Sequence, residues 1–151
     1  MRNPVVRLQV PAEIASLKEC CAFVRRGAEA TGLASEEIDR LDLVLEELFV
    51  NIARHAYSPG TGQVEVGYSV EAPGRLWVEI TDSGRAFNPL AGDPPDFSLG
   101  LADRPLGGMG LFLVKALADS VRYERDGNCN RISFVVSGGP GSGPAVQNKL
   151  A

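Results

Sequence analysis

Apolar residues recur along this chain with two different periods, and each change of period marks a new element. Alternating apolar positions such as Val64 and Val66 predict half-buried strands, whereas the spacing of Leu41, Leu45 and Leu48 predicts an amphipathic helix. The predicted elements are a strand at 5–10, helices at 12–30 and 35–56, strands at 63–70 and 75–81, a helix at 110–119, and strands at 121–125 and 131–136. This order predicts an α+β domain, a two-layer sandwich with helices on one face of a mixed sheet.

The segments between these elements are rich in residues that interrupt regular structure. Gly32 is predicted to end the first helix, and Ser35 is predicted to cap the second. Residues 85–106 hold four of the ten prolines and show little periodicity, so we expect a long loop that is functional or mobile. After a domain spanning 1–137, the glycine- and proline-rich residues 138–151 are expected to form a disordered tail.

Composition and charge narrow the class of protein. The 151 residues are 44% apolar and 23% charged, which are ordinary values for a single globular domain. A net charge of -4 without a Lys/Arg run argues against nucleic acid as the main partner. No apolar run suits a membrane span or a signal peptide, so we expect a cytoplasmic protein. Cys20, Cys21 and Cys129 lack metal-ligand spacing and are interpreted as buried or half-buried thiols.

The second predicted helix carries the first candidate for chemistry. Glu47, Asn51 and His55 are four residues apart and therefore share one helix face. A carboxylate can accept a nucleophile's proton, and an amide oxygen suits a magnesium ion already held by phosphates. A solvated helix face is the better interpretation of Glu47 and Asn51 taken alone, and a structural hydrogen bond is the better one for His55. Glu46, the neighbouring carboxylate, lies about 100° round the helix.

Two glycine-containing segments carry the other candidates. Asp82-Ser83-Gly84 follows an apolar strand, where the carboxylate can accept a hydrogen bond from an adenine amine, and Phe87 can form a wall for the base. Gly107-Gly108-Met109-Gly110 precedes an apolar helix, where glycines let phosphates approach the helix N-terminus. Taken alone, Asp82-Ser83-Gly84 is better interpreted as a turn, and the alternative for the glycine run is a flexible loop before a helix start. No Walker motif, dinucleotide fingerprint or protein-kinase signature is present. In this order, the three segments predict an adenine nucleotide site.

Taken together, these segments resemble the GHKL ATPase superfamily, and within it the anti-sigma-factor serine/threonine kinases of bacterial partner-switching systems. Leu45–Tyr57 is similar to the N box of that family, Asp82–Pro89 to its first glycine box and Gly107–Val114 to its second. Asn130–Phe134 is similar to its closing strand, and the match spans about residues 5–136. The resemblance implies the Bergerat ATP-binding fold.

The resemblance also implies a role for each matching residue. The implied roles are general base for Glu47, magnesium ligand for Asn51, adenine binding for Asp82, close approach of the base for Gly84, and phosphate lining for Gly108 and Gly110. The other implied nucleotide-binding residues are His55, Phe87, Arg104, Gly107, Met109 and Leu111, with 90–106 as the ATP lid. Several relatives carry an arginine just before the second glycine box. Here Pro105 and Leu106 stand there, and Arg104 is the nearest cation.

The function that the resemblance implies is an ATP- and Mg²⁺-dependent serine protein kinase that is also an anti-sigma factor. Such a kinase phosphorylates a serine of an anti-anti-sigma protein, binds a sigma factor in competition with it, and forms a homodimer. The alternative is an ATP-binding regulatory protein without catalysis, which sequesters a partner by direct binding. Glu47 favours the kinase, because a binding module requires no carboxylate there, whereas Pro105 and Leu106 slightly favour the alternative.

Overall fold

Helices and strands follow one another in the order that the hydrophobic pattern predicts. The structure, a computed structural model, describes residues 3–88 and 114–138. The elements are β1 (Val6–Pro11), a 3-10 turn at Ile14–Ser16, α1 (Leu17–Ala30), α2 (Ser35–His55), β2 (Gln63–Ala72), β3 (Arg75–Asp82), β4 (Ser120–Asp126) and β5 (Cys129–Ser137). Residues 114–117 are helical, inside the helix predicted at 110–119. The predicted strands and helices of the described ranges are therefore confirmed to within a few residues.

The five strands form one sheet in the order β1-β2-β3-β5-β4. Each pair of neighbours is antiparallel, whereas we expected a mixed sheet. Tight turns explain part of this difference, since Gly74 (φ +74°) and Gly127 (φ +60°) close the β2–β3 and β4–β5 hairpins. Between β1 and β2 the chain passes through two helices joined by a short connection, so it returns to the sheet in the opposite direction to β1. The α+β class, with helices packed on the sheet, is confirmed.

The register of β3 and β5 sets the position of the functional site. Ile80 pairs with Ile132, and two residues further along Asp82 pairs with Asn130. Ile80 is buried beneath the helices, and side chains two residues apart in a strand point to the same face. Asp82 is consequently directed to the helix-covered face, at the very end of β3.

The core lies between this sheet face and the apolar stripe of α2. Every residue of the predicted stripe is buried: Ile38, Leu41, Leu45, Leu48 and Ile52, with Val44 and Phe49 beside them. In α1 the expectation was less accurate. Ile14, inside the helix predicted at 12–30, is 50% exposed, because it lies in the 3-10 turn, where the periodicity of α1 does not apply. Cys20, rather than Cys21, is the fully buried cysteine of α1.

Two details at the helix ends correct the sequence-based expectations. Ala34, not Ser35, occupies the N-cap position of α2, and Ser35 is the first helical residue. Glu36 and Glu37 in the first turn supply negative charge at the positive helix end. Pro11, which precedes the helix predicted at 12–30, is the last residue of β1, an edge strand, where a proline without an N–H is tolerated.

The sheet face away from the helices is charged. Arg7 of β1 forms ion pairs of 3.0 Å with Glu65 and 3.5 Å with Glu79. Such partly exposed pairs contribute about 0–1 kcal/mol each to stability, so this face adds little to the free energy of folding. Trp77 lies on the same face, as its alternation with Leu76 and Val78 predicts. In the part of the chain that the structure describes, no helix is long and apolar enough to cross a bilayer.

Candidate functional site

A cleft lies between the C-terminal half of α2 and the ends of β3 and β5. Its lining residues are Leu48, Asn51, Ile52, His55, Ala56, Asp82, Arg85, Phe87, Tyr123, Asn130 and Ile132. The structure therefore brings together four residues that were predicted from separate segments: Asn51, His55, Asp82 and Phe87. Apolar side chains of α2 and β5 form the walls, with a few polar groups directed inward, which is the usual composition of a small-molecule site.

Asp82 is a buried polar residue of this cleft, with 5% of its surface exposed. Its Oδ1 accepts hydrogen bonds from the backbone N–H of Gly84 (2.8 Å) and from Nδ2 of Asn130 (3.0 Å). Among the described residues, none donates a hydrogen bond to Oδ2. Oδ1 is thus held by the protein, whereas Oδ2 receives no donor from the described residues and can accept a hydrogen bond from a group such as an amine of a bound base.

Asn130 is a residue of the site whose role the sequence did not indicate. It is 6% exposed, and its Nδ2 donates both to Asp82 Oδ1 and to the carbonyl of Arg85 (2.8 Å). Its Oδ1 accepts from Tyr123 Oη (2.5 Å), Arg125 Nη1 (3.2 Å) and the N–H of Phe87 (3.4 Å). Asn130 therefore holds the Asp82 carboxylate, the segment that follows β3, and the edge strand β4 in one hydrogen-bond network.

Replacement of Asn130 by alanine should lower the free energy of unfolding by about 1–3 kcal/mol, because buried partners lose their hydrogen bonds. Urea denaturation followed by circular dichroism measures this change. Asn128→Ala is the matched control, since Asn128 is exposed in the β4–β5 turn and should change stability by less than about 0.5 kcal/mol. Equal midpoints for the two variants would contradict the network role of Asn130.

Gly84 lies directly against the end of α2. A Cβ at this position would overlap the carbonyl group of Ala56, and the N–H of Arg85 donates to that same carbonyl oxygen (3.1 Å). The glycine is thus required for the close approach of the turn after β3 to α2. This is a packing role, and the approach of a nucleobase to Gly84 stays a prediction.

We expect Gly84→Ala to destabilise the protein by about 1–3 kcal/mol, since the added methyl group must displace backbone atoms on one side. Thermal or urea unfolding tests this. Ser83→Ala, at the neighbouring exposed position, changes no backbone packing and should leave stability nearly unchanged. A Gly84→Ala protein as stable as the Ser83→Ala protein would show that α2 and the turn can separate at little cost.

The residues of α2 that were predicted for catalysis and metal binding differ in exposure. Asn51 is half-buried in the cleft, and its side chain makes no hydrogen bond within the described residues, so its amide oxygen is free to act as a ligand. Glu47 is half-buried one turn earlier and does not line the cleft itself. Glu46 is exposed. His55, the last residue of α2, is exposed at the rim of the cleft.

The two cysteine thiols of α1, Cys20 and Cys21, supply no nucleophile to this site. Burial raises the pKa of Cys20 to about 12, with smaller contributions from Cys21 and Glu19. Burial likewise raises the pKa of Cys21 to about 11, with Asp42 and Glu46 adding to it. Because a raised thiol pKa favours the neutral form, both groups are protonated and unreactive near neutral pH. The interpretation of these two cysteines as buried or half-buried thiols is confirmed.

The remaining predicted site residues lie outside the described residues. They are Arg104, Gly107, Gly108, Met109, Gly110 and Leu111, together with the segment 90–106 and its Pro105 and Leu106. Their roles stay predictions. The described half of the site fits a purine nucleotide, because apolar walls, one available carboxylate oxygen and one available amide meet in the same cleft.

Comparison with known proteins agrees with this geometry. The family model described as "Histidine kinase-like ATPase domain" matches residues 10–136, which includes all of the described strands and helices except the first residues of β1 and the end of β5. The chain belongs to this family. Membership in the histidine kinase-like ATPase family confirms the resemblance stated from the three segments, and it implies ATP binding at family level.

The curated relatives of the chain include proteins named as serine-protein kinases. The chain is 27% identical over 128 residues to "Serine-protein kinase RsbW" of Bacillus cereus, with 80% of this chain and 78% of the relative covered. RsbW of Bacillus thuringiensis matches with the same identity and coverage. A crystal structure of the RsbU and RsbW domains of Rv1364c from Mycobacterium tuberculosis superimposes with a TM-score of 0.61 at 16% identity, covering 91% of this chain and 34% of that one. This structural likeness shows the fold alone.

Proposed function

We propose that this protein is an ATP-dependent serine protein kinase that also acts as an anti-sigma factor. The observation that carries the proposal is the buried Asp82, which keeps one carboxylate oxygen for an external donor in a cleft that Asn51 and His55 also line. The similarity to serine-protein kinases named RsbW supports the choice of a protein substrate.

The adenine base of ATP is proposed to lie in the cleft with its amine donating to Oδ2 of Asp82. Ile52 of α2 and Ile132 of β5 offer apolar surfaces to the faces of the base. Phe87, 44% exposed at the edge of the cleft, would cover the base on its outer side. A purine buried against such walls gains hydrophobic free energy, while the carboxylate selects a base with an amine at the right edge.

The phosphates are proposed to extend along α2 toward Glu47. Asn51 would hold a Mg²⁺ ion with its amide oxygen, and the bound ion would neutralise charge on the phosphates. The segment Gly107–Gly110, assigned from sequence, would line the phosphates, with Arg104 as a further cation. Glu47 would accept the hydroxyl proton of the substrate serine, while the serine oxygen forms a bond to the γ-phosphorus and ADP leaves.

The protein partners of this proposal are an anti-anti-sigma protein that carries the target serine and a sigma factor. Competition between them for one kinase, which we expect to be a cytoplasmic homodimer, would couple phosphorylation to transcription. A phosphoserine adds about two negative charges at neutral pH, which is enough to change the affinity of one partner and leave that of the other unchanged.

An ATP-binding regulator without catalysis is the second candidate function. Pro105 and Leu106 favour it, because they stand where several relatives carry an arginine. The two candidates differ in whether ATP is consumed when a serine-bearing partner is present. Both require nucleotide binding in the cleft.

The test is to incubate the purified chain with Mg²⁺-ATP and small anti-anti-sigma-type proteins encoded in the same genome. We expect ADP formation and one phosphoserine on a partner, both detectable by chromatography and mass spectrometry. ATP binding without ADP formation, with a stable complex of chain and partner, would support the non-catalytic regulator. Absence of ATP binding would contradict both candidates.

A further inference from the structure

We propose that Tyr57 is a positioning residue for the base site, a role that rests on the proposed nucleotide binding. Tyr57 follows Ala56, the C-cap residue of α2. Its hydroxyl group joins the turn after β3 to the start of β2, and we infer that this contact fixes the direction of the Asp82 carboxylate.

Three successive backbone N–H groups hold the turn that follows Asp82. The N–H of Ser83 donates to Tyr57 Oη (2.7 Å), that of Gly84 to Asp82 Oδ1 (2.8 Å), and that of Arg85 to the Ala56 carbonyl (3.1 Å). Two of these three acceptors come from the adjacent residues Ala56 and Tyr57. The turn is therefore attached to the C-terminal end of α2, whose earlier turns carry the predicted catalytic and metal-binding residues.

The Tyr57 hydroxyl uses its donor and acceptor capacity together. It accepts from Ser83 and donates to the carbonyl of Gln63 (2.6 Å), the first residue of β2. A hydroxyl group can do both at once, whereas the phenyl ring of a phenylalanine can do neither. Replacement by phenylalanine thus removes both contacts and keeps the ring.

The ring itself is held in place by Gly62. A Cβ at position 62 would overlap the Tyr57 ring, so the ring lies directly on the glycine backbone. The carbonyl of Gly62 in turn accepts a hydrogen bond from the N–H of Ala12 (2.9 Å) after β1. A ring confined on this side has little freedom, and its hydroxyl is accordingly fixed relative to the sheet.

The consequence for the site follows from the chain geometry at Asp82. The N–H of Ser83 belongs to the peptide plane that leaves Asp82, so the bond to Tyr57 fixes the orientation of that plane. Asn130 holds Oδ1 of the same carboxylate. Without the Tyr57 hydroxyl, water can still solvate the Ser83 N–H, but the peptide plane is no longer restrained, and Oδ2 would point less reliably into the cleft.

The experiment compares wild type, Tyr57→Phe and Tyr68→Phe. Tyr68 is a matched control, because it packs on Phe23 (ring centroids 5.0 Å apart) under α1, and its hydroxyl makes no hydrogen bond within the described residues. Calorimetry measures the affinity for ADP and for tripolyphosphate, a probe without a base. We expect Tyr57→Phe to weaken ADP binding by about 3- to 10-fold, the value of one net hydrogen bond, with tripolyphosphate binding unchanged. Tyr68→Phe should bind both as wild type does.

A second variant tests the same contact from its other side. Gly62→Ala should displace the ring and reproduce the selective loss of ADP affinity, and the double variant should lose no more than Tyr57→Phe alone, since both act on one contact. Hydrogen exchange should show faster exchange of the Ser83 amide in each variant.

The possible outcomes separate this proposal from the proposed function. Wild-type ADP affinity in Tyr57→Phe, or equal losses for ADP and tripolyphosphate, would overturn the positioning role while leaving the kinase proposal intact. A wild-type protein that binds neither ADP nor ATP would overturn the proposed function and the positioning role with it.

Discussion

Glu47→Ala should reduce phosphoryl transfer to a serine-bearing partner by roughly 10²–10⁴-fold, the usual contribution of a positioned general base. Nucleotide affinity should remain close to that of wild type, because Glu47 does not line the cleft in which the base is proposed to bind. The side chain is half-buried on α2, one turn before Asn51, so its removal changes little of the core. The measurement is the single-turnover rate of phosphoserine formation, with ATP affinity determined in parallel.

The chain contains a matched control for this experiment in the adjacent residue. Glu46→Ala removes an identical carboxylate from the same helix, but Glu46 is exposed and directed about 100° away. Its transfer rate should stay within about twofold of wild type, which corresponds to less than 0.5 kcal/mol. If Glu47→Ala transferred phosphate as fast as Glu46→Ala, Glu47 would not be the base.

Asp82→Asn should weaken ATP binding by about 5- to 150-fold, which corresponds to 1–3 kcal/mol for a lost charge-assisted hydrogen bond. Asparagine has nearly the same shape, but its amide group replaces one acceptor oxygen by a donor. If that donor faces the cleft, it meets the amine of adenine, donor against donor. If the new amide group instead takes the place of Oδ1, it faces two other donors. These are the N–H of Gly84 and Nδ2 of Asn130, which in the wild type donate to Oδ1 of Asp82.

Calorimetric titration with Mg²⁺-ATP measures this effect, and Asp126→Asn provides the control. Asp126 pairs with Arg131 (2.9 Å) at the exposed end of β4, so its neutralisation alters the net charge by the same amount without touching the cleft. We expect unchanged affinity for the control. Equal affinities for the Asp82→Asn and Asp126→Asn proteins would exclude Asp82 as the residue that binds adenine.

Local pattern was sufficient for most of the fold. The spacing of the apolar residues in α2 predicted the length of this helix and its buried face, because apolar residues one helical turn apart lie on the same side of a helix. Gly32 was placed correctly at the end of the first helix, because its positive φ of 85° favours glycine over other residues. The errors at Ser35 and at the start of the first helix, predicted at residue 12 but found at Leu17, occurred at element boundaries, which sequence pattern determines least well.

The candidate site was predictable where its residues act through fixed local spacing. Glu47, Asn51 and His55 share a helix face by geometry alone, and Asp82 could be placed at a strand end from alternation. Asn130 gave no such signal, because its importance comes from pairing opposite Asp82 across two strands that are 48 residues apart in the chain. Asn130 is the first residue of the segment that is similar to the closing strand of the family, but this similarity did not indicate its role.

The sequence by itself determined the elements, the apolar face of each helix, and the three segments that identify an ATPase family, since all of these depend on neighbours within a few residues. Tertiary structure alone decided that the sheet pairs antiparallel, that Asn130 holds one oxygen of Asp82, and that Tyr57 anchors the turn beside it. These contacts join residues 26 and 48 positions apart, and their geometry exists only after the strands have aligned in register.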